Sequence, residues 1–138
     1  MADGLYVKGL EQFGLGDIHW DTDTIKLAFM STSYTPNYNT HQFYSDISAS
    51  VASGTTDLTL SNAAVNTATD TVRFDTDDDS DTGITASTDK IVIYKDTGVA
   101  ATSPLIGCFE FVEGTLNPIS GTLAVTVPAN GFFALNSA

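Results

Sequence analysis

Positive charge is nearly missing from this chain. Five Lys or Arg residues stand against seventeen Asp or Glu among 138 residues, leaving a net charge of −12. Nucleic-acid binding rests on cationic side chains facing phosphates, so the balance argues against a DNA or RNA ligand and allows a partner with a basic docking surface. Cysteine is limited to Cys108, which rules out an internal disulfide; beside Phe109 it reads as a small hydrophobe packed in or against a sheet. No apolar run approaches the length of a membrane span. The opening MADGLYVKGLEQF has acidic and polar residues where a signal peptide needs a basic start and an unbroken apolar segment, so synthesis in a cytosol without the usual secretion route is expected.

Catalytic signatures are missing as well: there is no Gly-x-Ser-x-Gly elbow, no His-Glu-x-x-His and no nucleotide-binding glycine loop. His19 and His41 are the only histidines. With Asp17, Asp21 and Asp46 nearby in sequence, a hydrolytic or transition-metal site can be drawn, but catalysis needs a positioned nucleophile or base with an orienting group, and the spacing supplies neither. The chain is read as a non-enzyme without a cofactor.

What is present is β-forming sequence. Ile91-Val92-Ile93-Tyr94 is a short, largely β-branched run suited to a strand buried on both faces. Lys95-Asp96-Thr97-Gly98 breaks it, and Pro104, which cannot donate to a ladder, opens a second strand in which Leu105, Gly107, Phe109 and Phe111 alternate with Ile106, Cys108 and Glu110. Residues 90–112 therefore read as a central hairpin. Upstream, Leu5, Val7, Leu10, Phe13 and Leu15 fit a short helix over about 4–15, weakened by Gly9 and Gly14. Ile25, Leu27 and Phe29 alternate as a half-buried strand, and Ser31 to Asn39 is a loop. Residues 39–47 allow one helical turn capped by Asn39 or Thr40 but read better as a crossing between sheets. Short alternating runs around Leu58, Val65, Val72 and Phe74 read as a meander, and the strands around Leu123 and Phe133 are expected to close a sheet. The length suits one domain over 1–138, and many short strands without a long helix predict an all-β sandwich or jelly roll with a short N-terminal helix.

Asp75, Asp77, Asp79 and Asp81 occupy alternate positions and begin like a calcium loop, since hard cations take several carboxylate oxygens. Ser80 stands where the sharp-turn glycine belongs and Ala86 where the bidentate glutamate belongs, so a solvated acidic loop is the preferred reading. Trp20, Tyr34, Tyr38, Phe43 and Tyr44 make the first third aromatic. Trp20 and Phe43 read as core, whereas Tyr34 and Tyr38, in a polar loop around Pro36, read as exposed contacts for a protein or a sugar ring.

Three pieces in order carry a family pattern: Leu5-Tyr6-x-Lys8-Gly9 leading to Gly16-Asp17-Ile18-x-Trp20; Thr40-His41-x-Phe43-x-Ser45-Asp46-Ile47; and Ile91 to Gly98 followed by Ala101 to Ile106. Asn130-Gly131-Phe132-Phe133-x-Leu135 echoes the ending. On these segments the chain resembles a family of small virion structural proteins of tailed bacteriophages, several of them capsid-decorating jelly rolls. The acidic run, and a last strand without tryptophan or a basic residue, depart from the pattern. The resemblance implies a capsid cement or decoration protein on the exterior of the virion, made in the host cytoplasm. Its expected partner is the major capsid protein, with self-association as a dimer or trimer and no nucleic-acid or membrane partner. Contacts are expected at the helix, the aromatic loop and the chain end, through Leu5, Tyr6, Tyr34, Tyr38, His41, Tyr44, Phe132 and Phe133. A tail or neck component, or a carbohydrate-binding jelly roll, is the alternative.

Overall fold

The computed structural model describes residues 3–129 and 131–136; Asn130, part of the family-like ending, lies outside the described residues. The chain is mostly β, with one α-helix and three antiparallel sheets among the described residues. Three strands form the centre: β2 (Ile25–Met30), β7 (Lys90–Lys95) and β8 (Leu105–Glu110). With β1 (Gly4–Leu5) and β3 (Leu58–Thr59) at the edges they make a five-stranded sheet in the order β1-β8-β7-β2-β3. β7 occupies the middle, as its unbroken apolar run requires. It pairs with β2 from Ile25↔Lys95 to Met30↔Lys90, and with β8 through a register shift at Ile93/Tyr94.

A second sheet has the order β10-β5-β4, from β4 (Ala64–Ala68), β5 (Thr71–Asp75) and β10 (Phe133–Asn136). β4 and β5 turn through Thr69 and Asp70, with Asp70 in the left-handed region at φ 59°. The third sheet pairs β6 (Asp79–Ile84) with β9 (Gly121–Val125). The last two strands therefore join different sheets and do not pair with each other, because β9 aligns with β6 and β10 with β5. Residues 79–81 likewise lie in a strand, where a solvated loop was expected; pairing with β9 draws Asp79, Ser80 and Asp81 into a ladder.

One face of the five-stranded sheet, with Ile25, Leu27, Phe29, Ile91 and Ile93, shares its core with Leu60, Ile84, Leu123 and Val125, and with Phe74, Phe132 and Phe133 at the margin. The opposite face, with Ala28, Met30, Val92, Tyr94 and Cys108, is covered by Tyr6, Tyr34 and Ile47, flanked by Tyr38, Tyr44 and Val51. Both faces are thus buried, one under strands and the other under an aromatic loop.

The helix, α1 (Val7–Leu15), starts three residues later than the apolar spacing suggests because Gly4 and Leu5 pair with Cys108 and Gly107 of β8. It ends at Gly16, at φ 80°, whose N–H reaches back to the carbonyls of Gln12 and Phe13. No helix among the described residues is long and apolar enough to cross a membrane.

Candidate binding surfaces

The segment from Tyr34 to Tyr44 was expected to present tyrosines to a partner. Tyr34 is instead 5 % exposed, a correction that follows from its hydroxyl's two partners. Asn37 N–H donates to His41 Nδ1 at 3.2 Å, which makes Nδ1 an acceptor. The Tyr34 hydroxyl therefore donates to Nδ1, at 3.0 Å, and accepts from the Tyr6 hydroxyl at 2.7 Å. The Tyr34 ring stacks on His41 at 5.8 Å and the Tyr6 ring tilts against Tyr38 at 5.2 Å. Burial of these hydroxyls is tolerated because they satisfy one another.

Burial raises the phenol pKa of Tyr6, with the hydrogen bond to Tyr34 adding to it, and pushes Tyr34 up to about 12. Tyr38 is half-buried and also raised, chiefly by burial. Tyr44 packs its ring 4.6 Å from Tyr94, whose hydroxyl donates to Asp57 at 2.6 Å, and burial raises both phenols. Cys108 is buried beneath this layer, with its thiol pushed up to about 12 by burial, which suits packing and not nucleophilic chemistry.

The loop is tied down by backbone as well. Tyr6 N–H reaches Ile106 O, Val7 N–H reaches Tyr38 O, Leu105 N–H reaches Gln42 O and Tyr44 N–H reaches Ser103 O. The 3-10 turn at Tyr44–Asp46 is capped by Asp46, whose carboxylate accepts from the N–H groups of Gln42 and Phe43 and is held below the usual carboxylate range by those bonds. Asn39 and Thr40 do not cap that turn; their own N–H groups donate to the Asn37 side chain.

Phe132 and Phe133, expected at a contact surface, are half-buried against Trp20, with centroids 6.4 and 5.6 Å away. Trp20 is 2 % exposed and donates through Nε1 to Asp75 O at 2.9 Å. Leu5 is half-buried in β1. Among the described residues of the first third, the exposed large apolar side chains are Val7, Leu10 and Leu15 of α1, with Val7 and Leu10 one turn apart. The helical spacing was visible in the sequence, but which side faces outward depends on where β8 lies.

The acidic run does not converge on a point. Asp77 accepts from the Asn62 side chain, Asp79 from Ser61 N–H and Asp81 from Thr56 N–H, while Asp75 accepts from Thr76 N–H. Asp77 and Asp79 thus hold the turn at Ser61 and Asn62 and Asp81 holds the chain at Thr56, and no group of three His, Cys, Asp or Glu side chains that could hold a metal occurs among the described residues. His19 lies beside Asp23, and His41 belongs to the tyrosine cluster, so the drawn hydrolytic site is not assembled.

A groove of about 290 Å³ lies between the end of β8 and β9. Phe109, Phe111 and Phe132 give it an aromatic floor, with Phe109 and Phe132 centroids 5.9 Å apart. Asp3, Glu110 and Glu113 stand around it, and none of the described lining residues is basic. No sequence signal marked this site, because its lining comes from four separated segments.

Comparison of the chain with protein-family models, with curated proteins and with solved structures finds no match in any of the three.

Proposed function

We infer that the chain is a structural protein of a tailed-phage particle, a cement or decoration protein that binds the outer surface of the capsid and stabilises the shell. The observation that supports this best is that the three family-like segments, far apart in sequence, pack on one another. Tyr6 bonds to Ile106, Phe43 bridges Pro104, and His41 joins Tyr34 and Tyr6 above β7 and β8. Antiparallel sheets sharing a core support a jelly-roll reading of the sandwich. Self-association as a dimer or trimer, with the major capsid protein as partner, follows from the same reading.

The carbohydrate alternative loses its platform, since Trp20 and Tyr34 are buried and the Tyr38 ring packs against Tyr6 and over Gly4. A tail or neck position makes a different prediction for the same experiment. Purified, labelled protein added to particles lacking it should bind the heads and restore their resistance to heat. Binding confined to tails would move the protein there. Particles whose composition and heat resistance do not depend on the gene would sink the structural role.

A further inference from the structure

The groove between β8 and β9 has an open strand edge on one wall. β9 has a single ladder partner, β6. No β6 residue lines the groove whereas Ala124, Val125 and Thr126 do, so the groove runs along the edge of β9 that β6 leaves uncovered. On the other wall β1 pairs with β8 only at Gly107 and Cys108. There the Asp3 carboxylate accepts the Glu110 N–H at 2.7 Å, so that donor is already satisfied and the open edge is that of β9. An edge that presents backbone donors and acceptors beside an apolar floor is the arrangement that takes up an extended segment.

The charge selects which segment. The groove brings Asp3, Glu110 and Glu113 to its border and no described lysine or arginine, on a chain whose net charge is −12. A second copy of the chain is a poor occupant, because it repeats that charge. The chain's own basic residues are also held elsewhere: Lys8 lies in α1, Lys26 in β2, Arg73 in β5, and Lys90 and Lys95 in β7. The four lysines each face a carboxylate, namely Glu11, Asp96, Asp89 and Asp23 in that order. We propose that the groove captures an extended, lysine- or arginine-bearing segment of a partner protein. The segment adds along β9, seats an apolar side chain over Phe109, Phe111 and Phe132, and brings its cations to Asp3 and Glu113. This assignment is independent of whether the partner is a capsid subunit.

The test uses the full chain and fluorescein-labelled peptides followed by anisotropy. The cationic probe alternates lysine with valine around a central phenylalanine; its counterpart has glutamate for lysine; a third is the cationic probe N-methylated at alternate residues. The cationic peptide should bind, more weakly as salt rises, and the other two should not. Glu113→Lys should weaken binding about fivefold, and Ala124→Arg, which fills the groove from an exposed position on β9, at least as much, both with unchanged melting temperature. Glu11→Lys makes the same change in net charge away from the groove and should weaken binding far less. The proposal is overturned if the cationic peptide fails to bind, if the glutamate or N-methylated peptide binds equally, or if Glu11→Lys weakens binding as much as Glu113→Lys. Sedimentation showing a dimer that Ala124→Arg abolishes would also overturn it, in favour of a second copy.

Discussion

Two glycines in α1 should respond in opposite directions to the same substitution. In an exposed helix, Gly→Ala stabilises by about 1 kcal/mol, because alanine has the better helix propensity and restricts the unfolded chain. Gly14 meets that condition: a Cβ placed there finds nothing within 4 Å. Gly9 does not. It is buried against β8, and its Cβ would lie 2.1 Å from Leu105 O and 3.2 Å from Ile106 Cα. Both atoms are backbone within a paired strand, so neither can rotate away, and α1 has to lift by roughly 1 Å to restore ordinary contact. Lifting strains the Tyr6 N–H bond to Ile106 O and loosens Phe13 from Phe74 and Phe133. Overpacking of this kind costs about 3 kcal/mol at the upper end of its range, which outweighs the propensity gain and leaves a net loss of about 2 kcal/mol. For a domain this size, Gly9→Ala should lower the melting temperature by roughly 6–8 °C and Gly14→Ala should raise it by roughly 3–4 °C. Thermal denaturation of the two variants and the double variant decides the matter. If Gly9→Ala is as stabilising as Gly14→Ala, the close approach of α1 to β8 is wrong.

Tyr34→Phe should destabilise by about 1–3 kcal/mol, since it strands the buried Tyr6 hydroxyl, and Tyr6→Phe on top should cost little more; additive losses in a double-mutant cycle of urea midpoints would refute the chain of hydroxyls. All five tyrosines have raised pKa values in the fold, so their contribution is complete below the unfolded value of about 10 and is lost as pH rises beyond it; ionisation followed at the tyrosinate band should coincide with alkaline unfolding by circular dichroism, and a fraction titrating near pH 10 in folded protein would contradict the buried cluster. Asp46→Ala should cost about 1 kcal/mol by removing the acceptor of two N–H groups, and because the Asp46 pKa is lowered, the difference from wild type should shrink as pH falls through its folded value; a gap that persists in acid would assign the loss to something other than the carboxylate. Millimolar calcium should leave the melting temperature unchanged, and a clear rise would mean that the aspartates from Asp75 to Asp81 converge more than their separate partners indicate.

The sequence was informative where a pattern is local. The run from Ile91 to Tyr94, the alternation from Ile25 to Met30 and the apolar spacing of α1 each declare themselves within a dozen residues, and each element is present. It was uninformative where the outcome depends on what arrives from elsewhere. Tyr34 sits among Ser, Thr, Pro and Asn and reads as a surface residue, yet Tyr6, from another part of the chain, supplies the partner that lets its hydroxyl be buried. Asp79 and Asp81 read as solvated, and only β9, some forty residues downstream, makes them part of a ladder. Lys90 is 2 % exposed, which no composition rule suggests, and it is accommodated by the neighbouring Asp89 carboxylate. The groove is the extreme case, since its floor, rim and open edge come from Asp3, Ile91 of β7, the ends of β8 and β9 and the segment before β10.

Covering both faces of the five-stranded sheet has a consequence for where binding can occur. A sheet with apolar residues on both faces needs two covers, and the second here is not a sheet but the loop of residues 31–51 with Tyr6. That duty consumes the aromatic side chains best suited to recognition: Tyr34 and Tyr6 are committed to each other, Tyr44 to Tyr94, and Tyr38 to Tyr6. A partner reaching for them would have to peel the loop from the sheet and expose Ala28, Met30 and Val92. Recognition without that cost is left to surfaces that do not hold the fold closed, and the open edge of β9 over its aromatic floor is one of them. Tyr34→Ala should therefore lower stability and leave peptide capture by the folded protein unchanged, whereas Ala124→Arg should weaken capture at least about fivefold and leave stability unchanged. The reverse pairing, capture lost at Tyr34 in protein that is still folded, would return the binding role to the loop.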